Sequence, residues 1–289
     1  MKKMVTNFIK KCRQLPNEAE CATEEKVKLS LVNSAFLPIG LVVYFYRHLF
    51  RIAGVFALLL TVLTLAIGCG YGCGSIDADI YPFACNTSPA MKAVSILLQM
   101  LILAVYFRVW YRIGLSGENV PLKKMLFINT GDWKTFLALL AIFIINVLPL
   151  VSLLMLIQRV PNSDWRVETL YFAVVSSGFW LPFLALRFYS IVAFAVSGQK
   201  IPSLRQIYCR STGNTLKMLL AFALLLFLAF ILMQIAAAVV DALLTSGLIS
   251  AALLAEYVLN FAFLLMMTVW FNFCLVQQNI LFGAAIEEE

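Results

Sequence analysis

Charge-free stretches recur along this chain at lengths that match a lipid bilayer. Ile52 to Tyr71, Thr135 to Gln158 and Met218 to Val240 each run without a charged side chain. As helices rising about 1.5 Å per residue, all three are long enough to cross a hydrocarbon core of about 30 Å. Thr169 to Leu186 is a slightly shorter uncharged run with Arg187 at its end, and Tyr257 to Ile286 is the longest. Ala93 to Phe107 is the shortest, confined between Lys92 and Arg108. It spans if the helix runs from about Ser88 to Trp110 and those two long side chains snorkel toward the headgroups. Six transmembrane helices are expected, and Pro38 to Tyr46 is too short for a seventh.

Between the spans, two phrases occur twice. Ser116-Gly117-Glu118-Asn119-Val120-Pro121 returns as Ser197-Gly198-Gln199-Lys200-Ile201-Pro202, and Thr130-Gly131-Asp132 returns as Thr212-Gly213-Asn214 at an offset larger by a single residue. The same order and nearly the same register indicate an internal repeat. Glycine after an apolar helix suits the left-handed residue that ends it, and proline suits the first turn of the next. Gly117 and Gly198 therefore read as stops, Pro121 and Pro202 as starts. Gly131 and Gly213 end a short helix, and Asp132 or Asn214 caps the following one. Within the short helices, Leu122, Met125 and Leu126, and likewise Leu204, Ile207 and Tyr208, share one side, leaving Lys123, Lys124, Arg205 and Arg210 for the other. Such helices lie in the membrane interface. The expected unit is one interfacial helix plus a transmembrane hairpin, with repeats over about 38–115, 121–196 and 202–283. The first copy, from Pro38, is degenerate because it lacks the Thr-Gly-Asx phrase. Every unit crosses twice, so the copies share one orientation.

Composition agrees with a membrane solvent: 62% of residues are hydrophobic and 13% charged, and mean hydropathy is +0.92. Charge then sets direction. Nineteen of the 22 Lys and Arg fall before the first span or in the loops after the second and fourth, and the other side holds only Lys92, Arg159 and Arg166. Both termini are expected in the cytoplasm. The net charge of +7 reflects this bias and attraction to anionic lipid, not a nucleic-acid partner. Residues 1–33 form a cytoplasmic basic amphipathic segment ahead of a six-helix membrane domain, 34–289. In it Met4, Val5, Phe8 and Ile9 alternate at helical spacing with Lys2, Lys3, Lys10 and Lys11 until Pro16.

The chain offers little for catalysis. His48 is the one histidine, no nucleophile–base motif occurs, and neither a cofactor nor a metal is expected. Asp241 and Glu256 flank the last turn, as wetted caps or as a proton or cation pair. Asn146, Gln234 and Asn260 are the polar residues available to line a cavity. Arg108 and Arg187 end the second and fourth spans and either snorkel to phosphates or pair with backbone carbonyls. With Lys123, Lys124, Arg205 and Arg210 they are the candidates for holding anionic lipid headgroups. Cys69, Cys73 and Cys85 share the first exported loop and are candidates for a disulfide, Cys85 with either of the others.

The run Arg187-Phe188-Tyr189-Ser190, then Ile201-Pro202-Ser203-Leu204-Arg205-Gln206-Ile207-Tyr208, then Ser211-Thr212-Gly213-Asn214 resembles bacterial six-helix membrane proteins without an assigned activity. These are similar to the YciC-like proteins and to the membrane domain attached to some glycerophosphodiester phosphodiesterases. Val109-Trp110-Tyr111-Arg112 through Pro121 looks like the matching first-repeat signature. The resemblance implies an all-α inner-membrane fold with interfacial helices and no established activity to carry over; the phosphodiesterase's catalytic domain has no counterpart here, so that enzyme function is not inherited. The expected function is non-enzymatic organisation of lipids or partner proteins, with a small-molecule or lipid transporter as the alternative.

Reporter fusions check the topology. Fusions at Ile80, Asn162 and Ser246 are expected to report outside, and those at Glu118 and Lys200 inside; an inside signal at Ile80 overturns the assignment.

Overall fold

The apolar stretches fold as helices wherever they fall among the residues described. The computed structural model describes residues 31–67, 89–116, 118, 126–158, 168, 186–211, 214–245 and 249–282, among which every regular element is helical. We number the α-helices α1 Leu31–Tyr44, α2 Tyr46–Ile67, α3 Pro89–Val109, α4 Thr130–Gln158, α5 Ser190–Ser197, α6 Leu204–Ser211, α7 Thr215–Leu244 and α8 Ile249–Phe282. A π-turn, Trp110–Leu115, continues α3, and a 3-10 turn, Leu186–Phe188, precedes α5. Four helical stretches are long and apolar enough to cross a membrane: Tyr46–Ile67, Ala93–Leu115, Thr215–Leu243 and Leu253–Phe282. They coincide with the first, second, fifth and sixth expected spans, and α4 covers the third. Residues 1–30 of the N-terminal amphipathic segment, most of the fourth span, Lys123, Lys124, Cys69, Cys73, Cys85, Gly117, Pro121, Thr212 and Gly213 lie outside the described residues.

Helix α8 is the hub, packing against α1, α2, α5, α6 and α7. In lipid the hydrophobic effect does not press helices together, so polar contacts and close packing must hold them. α8 carries polar side chains along one line of four-residue steps, Glu256, Asn260, Thr268 and Asn272, which together bond α1, α2 and α3 with its π-turn. Glu256 Oε1 accepts from Thr64 Oγ1 of α2 at 3.1 Å, while Asn260 Nδ2 donates to Thr61 Oγ1 at 3.1 Å. Thr268 shares a hydrogen bond with the hydroxyl of Tyr106 in α3. Asn272 works in both directions: its Oδ1 accepts the Trp110 indole N–H at 2.9 Å and its Nδ2 donates to the Pro38 carbonyl of α1 at 3.2 Å. Aromatic packing fills the spaces between, with Phe107 stacked on Phe271 at 4.7 Å between centroids and Tyr189 edge-on to Trp270 at 5.4 Å. By contrast α7 turns Leu216, Leu220, Phe227, Phe230 and Ile235 outward, a face suited to lipid.

Two starts differ from expectation. Pro38 lies inside α1 rather than at a helix start, and its carbonyl accepts from Asn272 of α8. Pro202 precedes α6 by two residues. The cap is Ser203, whose Oγ accepts the Gln206 N–H at 3.3 Å while Gln206 Oε1 accepts the Ser203 N–H at 2.9 Å. That reciprocal box ties down two N–H groups, and its Ser-x-x-Gln signature stands in the sequence.

At the end of α3 the ladder widens, and the Ser116 N–H reaches the Tyr111 carbonyl, five residues back, at 2.8 Å. The fully buried Trp110 ring lies over Gly114, where an added Cβ would sit 2.6 Å from Trp110 Cε3. Gly114→Ala is therefore expected to cost about 1–3 kcal/mol by overpacking. Thermal unfolding in detergent, followed by tryptophan fluorescence, should show a clear drop in Tm, with a smaller one for Gly54→Ala, whose Cβ would meet the Tyr257 hydroxyl at 3.3 Å. An unshifted Tm for Gly114→Ala would show that the indole has room to move.

Candidate functional site

The loop entering α4 is organised around one carboxylate. Asn129 caps the helix: its Oδ1 accepts the Asp132 N–H at 3.1 Å, and Asp132 Oδ2 accepts the Asn129 N–H at 2.8 Å. Asp132 is thus the returning half of a capping box, and Asn129 is the cap. Gly131, expected to end a short helix, lies instead in the first turn of α4. The second oxygen of Asp132 accepts from Arg108 Nε at 2.7 Å, and Arg108 Nη2 donates to the Phe127 carbonyl at 2.8 Å. Both side chains are buried. A buried ion pair offsets its desolvation only when its remaining donors and acceptors are met, as they are here by backbone groups. Of the two roles open to Arg108, the structure displays the inward one, fixing the end of α3 to the start of α4.

Beside this pair lies a cavity of about 280 Å³. The end of α3 contributes Arg108 and Arg112, the start of α4 contributes Asn129 to Gly131 and Thr135, and the end of α5 closes the third wall through Gly198. Gly198 has φ of 74° and ends α5, the left-handed stop that the repeated phrase implied. Arg112 sets its Nε and Nη2 on one oxygen of Glu118, at 2.8 and 2.7 Å, while the Glu118 N–H bonds the Arg112 carbonyl at 2.9 Å. Ser197 on the α5 wall donates to the Phe194 carbonyl at 3.2 Å and accepts from Gln278 Nε2 of α8 at 3.5 Å. Sequence reasoning passed over Arg112, Glu118 and Asn129. The Asn-x-x-Asp spacing was a legible signal for the last.

The other candidate cations are dispersed. Arg210 donates through Nη1 to the Leu281 carbonyl at 3.2 Å and lies 4.9 Å from the Phe282 ring centroid, a cation at the carboxyl end of α8. Arg187 stacks on Tyr208 at 4.5 Å, and its Nε is buried without a hydrogen-bond partner among the described residues. Arg205 is exposed on α6. None of these lines the cavity at Arg108 and Arg112. Cys209 and Cys274 are free thiols, exposed and buried respectively.

Glu256 departs furthest from its expected place. It is 2% exposed, bonded to Thr64 and, at 3.4 Å, to Asn260 Nδ2, whereas Asp241 is exposed. A wetted cap is excluded, because seven residues into α8 its carboxyl has turned toward α2 instead of the chain end. Compared with known proteins, the chain matches no family profile, no curated protein and no solved structure.

Asp132→Asn keeps the shape of the pair and leaves the Arg108 charge buried alone. The expected cost is about 3–5 kcal/mol, and the double change Arg108→Met with Asp132→Leu should recover much of it. Thermal unfolding of the three proteins in detergent is the check, and a wild-type Tm for Asp132→Asn would show that the pair contributes nothing.

Proposed function

We propose that this chain is a non-enzymatic multi-pass protein of the bacterial inner membrane, with six spans and cytoplasmic ends, that organises lipids or partner proteins. The observation that carries this reading is the closed stretch of core around α8 between Glu256 and Asn272. Along α8 the polar groups of Glu256, Asn260, Thr268 and Asn272 are each bonded to neighbouring helices. A core tied to itself in this way suits a scaffold better than a solute pathway. The absence of nucleophile–base and metal-binding motifs from the sequence supports the non-enzymatic part. The repeat draws support from matched turns: the Asp132 N–H reaches the Asn129 carbonyl at 3.1 Å, and the Asn214 N–H reaches the Ser211 carbonyl at 3.1 Å. Kinship with the YciC-like proteins rests on the motifs quoted above.

Transport is the second reading, and Glu256 favours it. A carboxyl group buried in a span is costly, and such groups mark ion or proton paths in many membrane proteins.

Native mass spectrometry of protein purified in mild detergent separates the two. Anionic lipid should be retained in excess of its share of the total lipid extract, and Arg205→Gln should lower that retention up to about fivefold, since a Lys or Arg near an anionic surface contributes about 1 kcal/mol. Retained lipid that mirrors the extract, together with a proton flux into proteoliposomes that Glu256→Gln abolishes, would replace this reading with transport.

A further inference from the structure

The geometry points to an anion site at Arg112, in the cavity between α3, α4 and α5, for a phosphate monoester or diester group, whether on a lipid or free. It deepens the lipid-organising reading and rests on it for the lipid case alone.

The two guanidinium groups of the cavity are bound in different ways. Arg108 is locked inward by Asp132 and the Phe127 carbonyl, its side chain 10% exposed. Among the described residues Arg112 is held by Glu118, with side chains 42% and 36% exposed. Exposed pairs of this kind contribute little, so the carboxylate is a weak holder of that fork. A phosphate brings more charge and a planar-fork match to guanidinium, and such charge-assisted pairs are roughly twice as strong as neutral hydrogen bonds.

The surroundings suit the same ligand. The amino end of α4, a helix of 29 residues, opens on the cavity with its positive dipole end. Its capping box uses the N–H groups of Asn129 and Asp132, so those of Thr130 and Gly131, which line the cavity, take no part in it. At about 280 Å³ the space falls just below the range of about 300–1,000 Å³ for drug-sized ligands, which fits a phosphate or a small headgroup and leaves acyl chains outside.

Charge selects the sign. The charged residues of the lining, Arg108 and Arg112, are both cationic, and a singly charged phosphate taking the place of the Glu118 carboxylate on Arg112 leaves the local balance unchanged. Only the Glu118 side chain must yield. Its backbone N–H keeps its bond to the Arg112 carbonyl.

Isothermal titration calorimetry of the detergent-purified chain, with sodium phosphate and separately with a short-chain phosphatidylglycerol below its micelle concentration, tests this. Arg112→Gln should weaken binding at least tenfold, and Glu118→Gln, which removes the competing charge, should tighten it severalfold. Arg112→Lys should fall between wild type and Arg112→Gln because it keeps the charge and loses the fork. Melting curves establish that each variant is folded. Binding of phosphatidylglycerol that millimolar phosphate does not displace identifies a lipid headgroup, and binding of phosphate alone identifies a free anion. Unchanged binding in Arg112→Gln, no binding of either probe, or weaker binding in Glu118→Gln overturns the site. Arg112-dependent phosphate binding without lipid enrichment in native mass spectra would keep the site and remove the lipid reading, while the reverse pattern would do the opposite.

Discussion

A polar atom that enters an apolar solvent is costly without a partner, and α8 from Glu256 to Asn272 shows how this chain meets that constraint, whereas farther along the helix the buried amide of Gln277 has no partner among the described residues. Loss of a hydrogen bond in such surroundings leaves a donor or acceptor with no water to replace the partner. Asn272 shows the consequence most clearly. One amide joins α3, through the Trp110 indole, to α1, through the Pro38 carbonyl, so the side chain fixes the relative depth of three helices at once. Glu256 and Asn260 do the same for α2 further along the same helix. Dispersion between Leu and Phe side chains permits many rotations of one helix about another, whereas these bonds permit few. The polar ridge therefore supplies orientation, and the aromatic contacts of Phe107, Trp270 and Phe271 supply density.

Much of the architecture is legible along the chain because the bilayer imposes a simple rule on length and charge. Helix α7 begins three residues before the Met218 expected from its uncharged run, and α3 with its π-turn passes through the range read from the short stretch between Lys92 and Arg108. Gly198 adopts the left-handed conformation that its place after an apolar helix demands. What stayed hidden depends on partners distant in sequence. Arg108 meets Asp132 across 24 residues, and Glu256 meets Thr64 across 192. A residue near the end of an uncharged run looks wetted from the sequence, yet the direction of its side chain around the helix decides whether it meets water. The π-turn was equally invisible, and the Trp110 indole at its start bonds Asn272, 162 residues away.

The two ion pairs at the cavity separate structural charge from adjustable charge. Arg108 and Asp132 are withdrawn from solvent and answer to fixed backbone groups, so salt screens them much less than an exposed pair. One helical turn away, Arg112 and Glu118 face water and are screened by it. The same residue types thus serve stiffness in one place and exchange in the other, and burial alone makes the difference. The dispersed arginines complete the picture: Arg210 neutralises the carboxyl end of α8 and Arg187 packs on Tyr208, each consumed by a local contact.

The widened turn from Trp110 to Leu115 has a meaning in phase as well as in packing. A π-turn holds one residue more than the α-helix around it needs, so it acts as a stored insertion that is absorbed where it stands. Removing one residue there would restore an unbroken α-helix with the residues beyond it in place, whereas the same deletion in the α-helical part would swing them by about 100°. Substitutions around the cavity alter how strongly a guanidinium is held; a deletion in the helix ahead of this turn alters where it points.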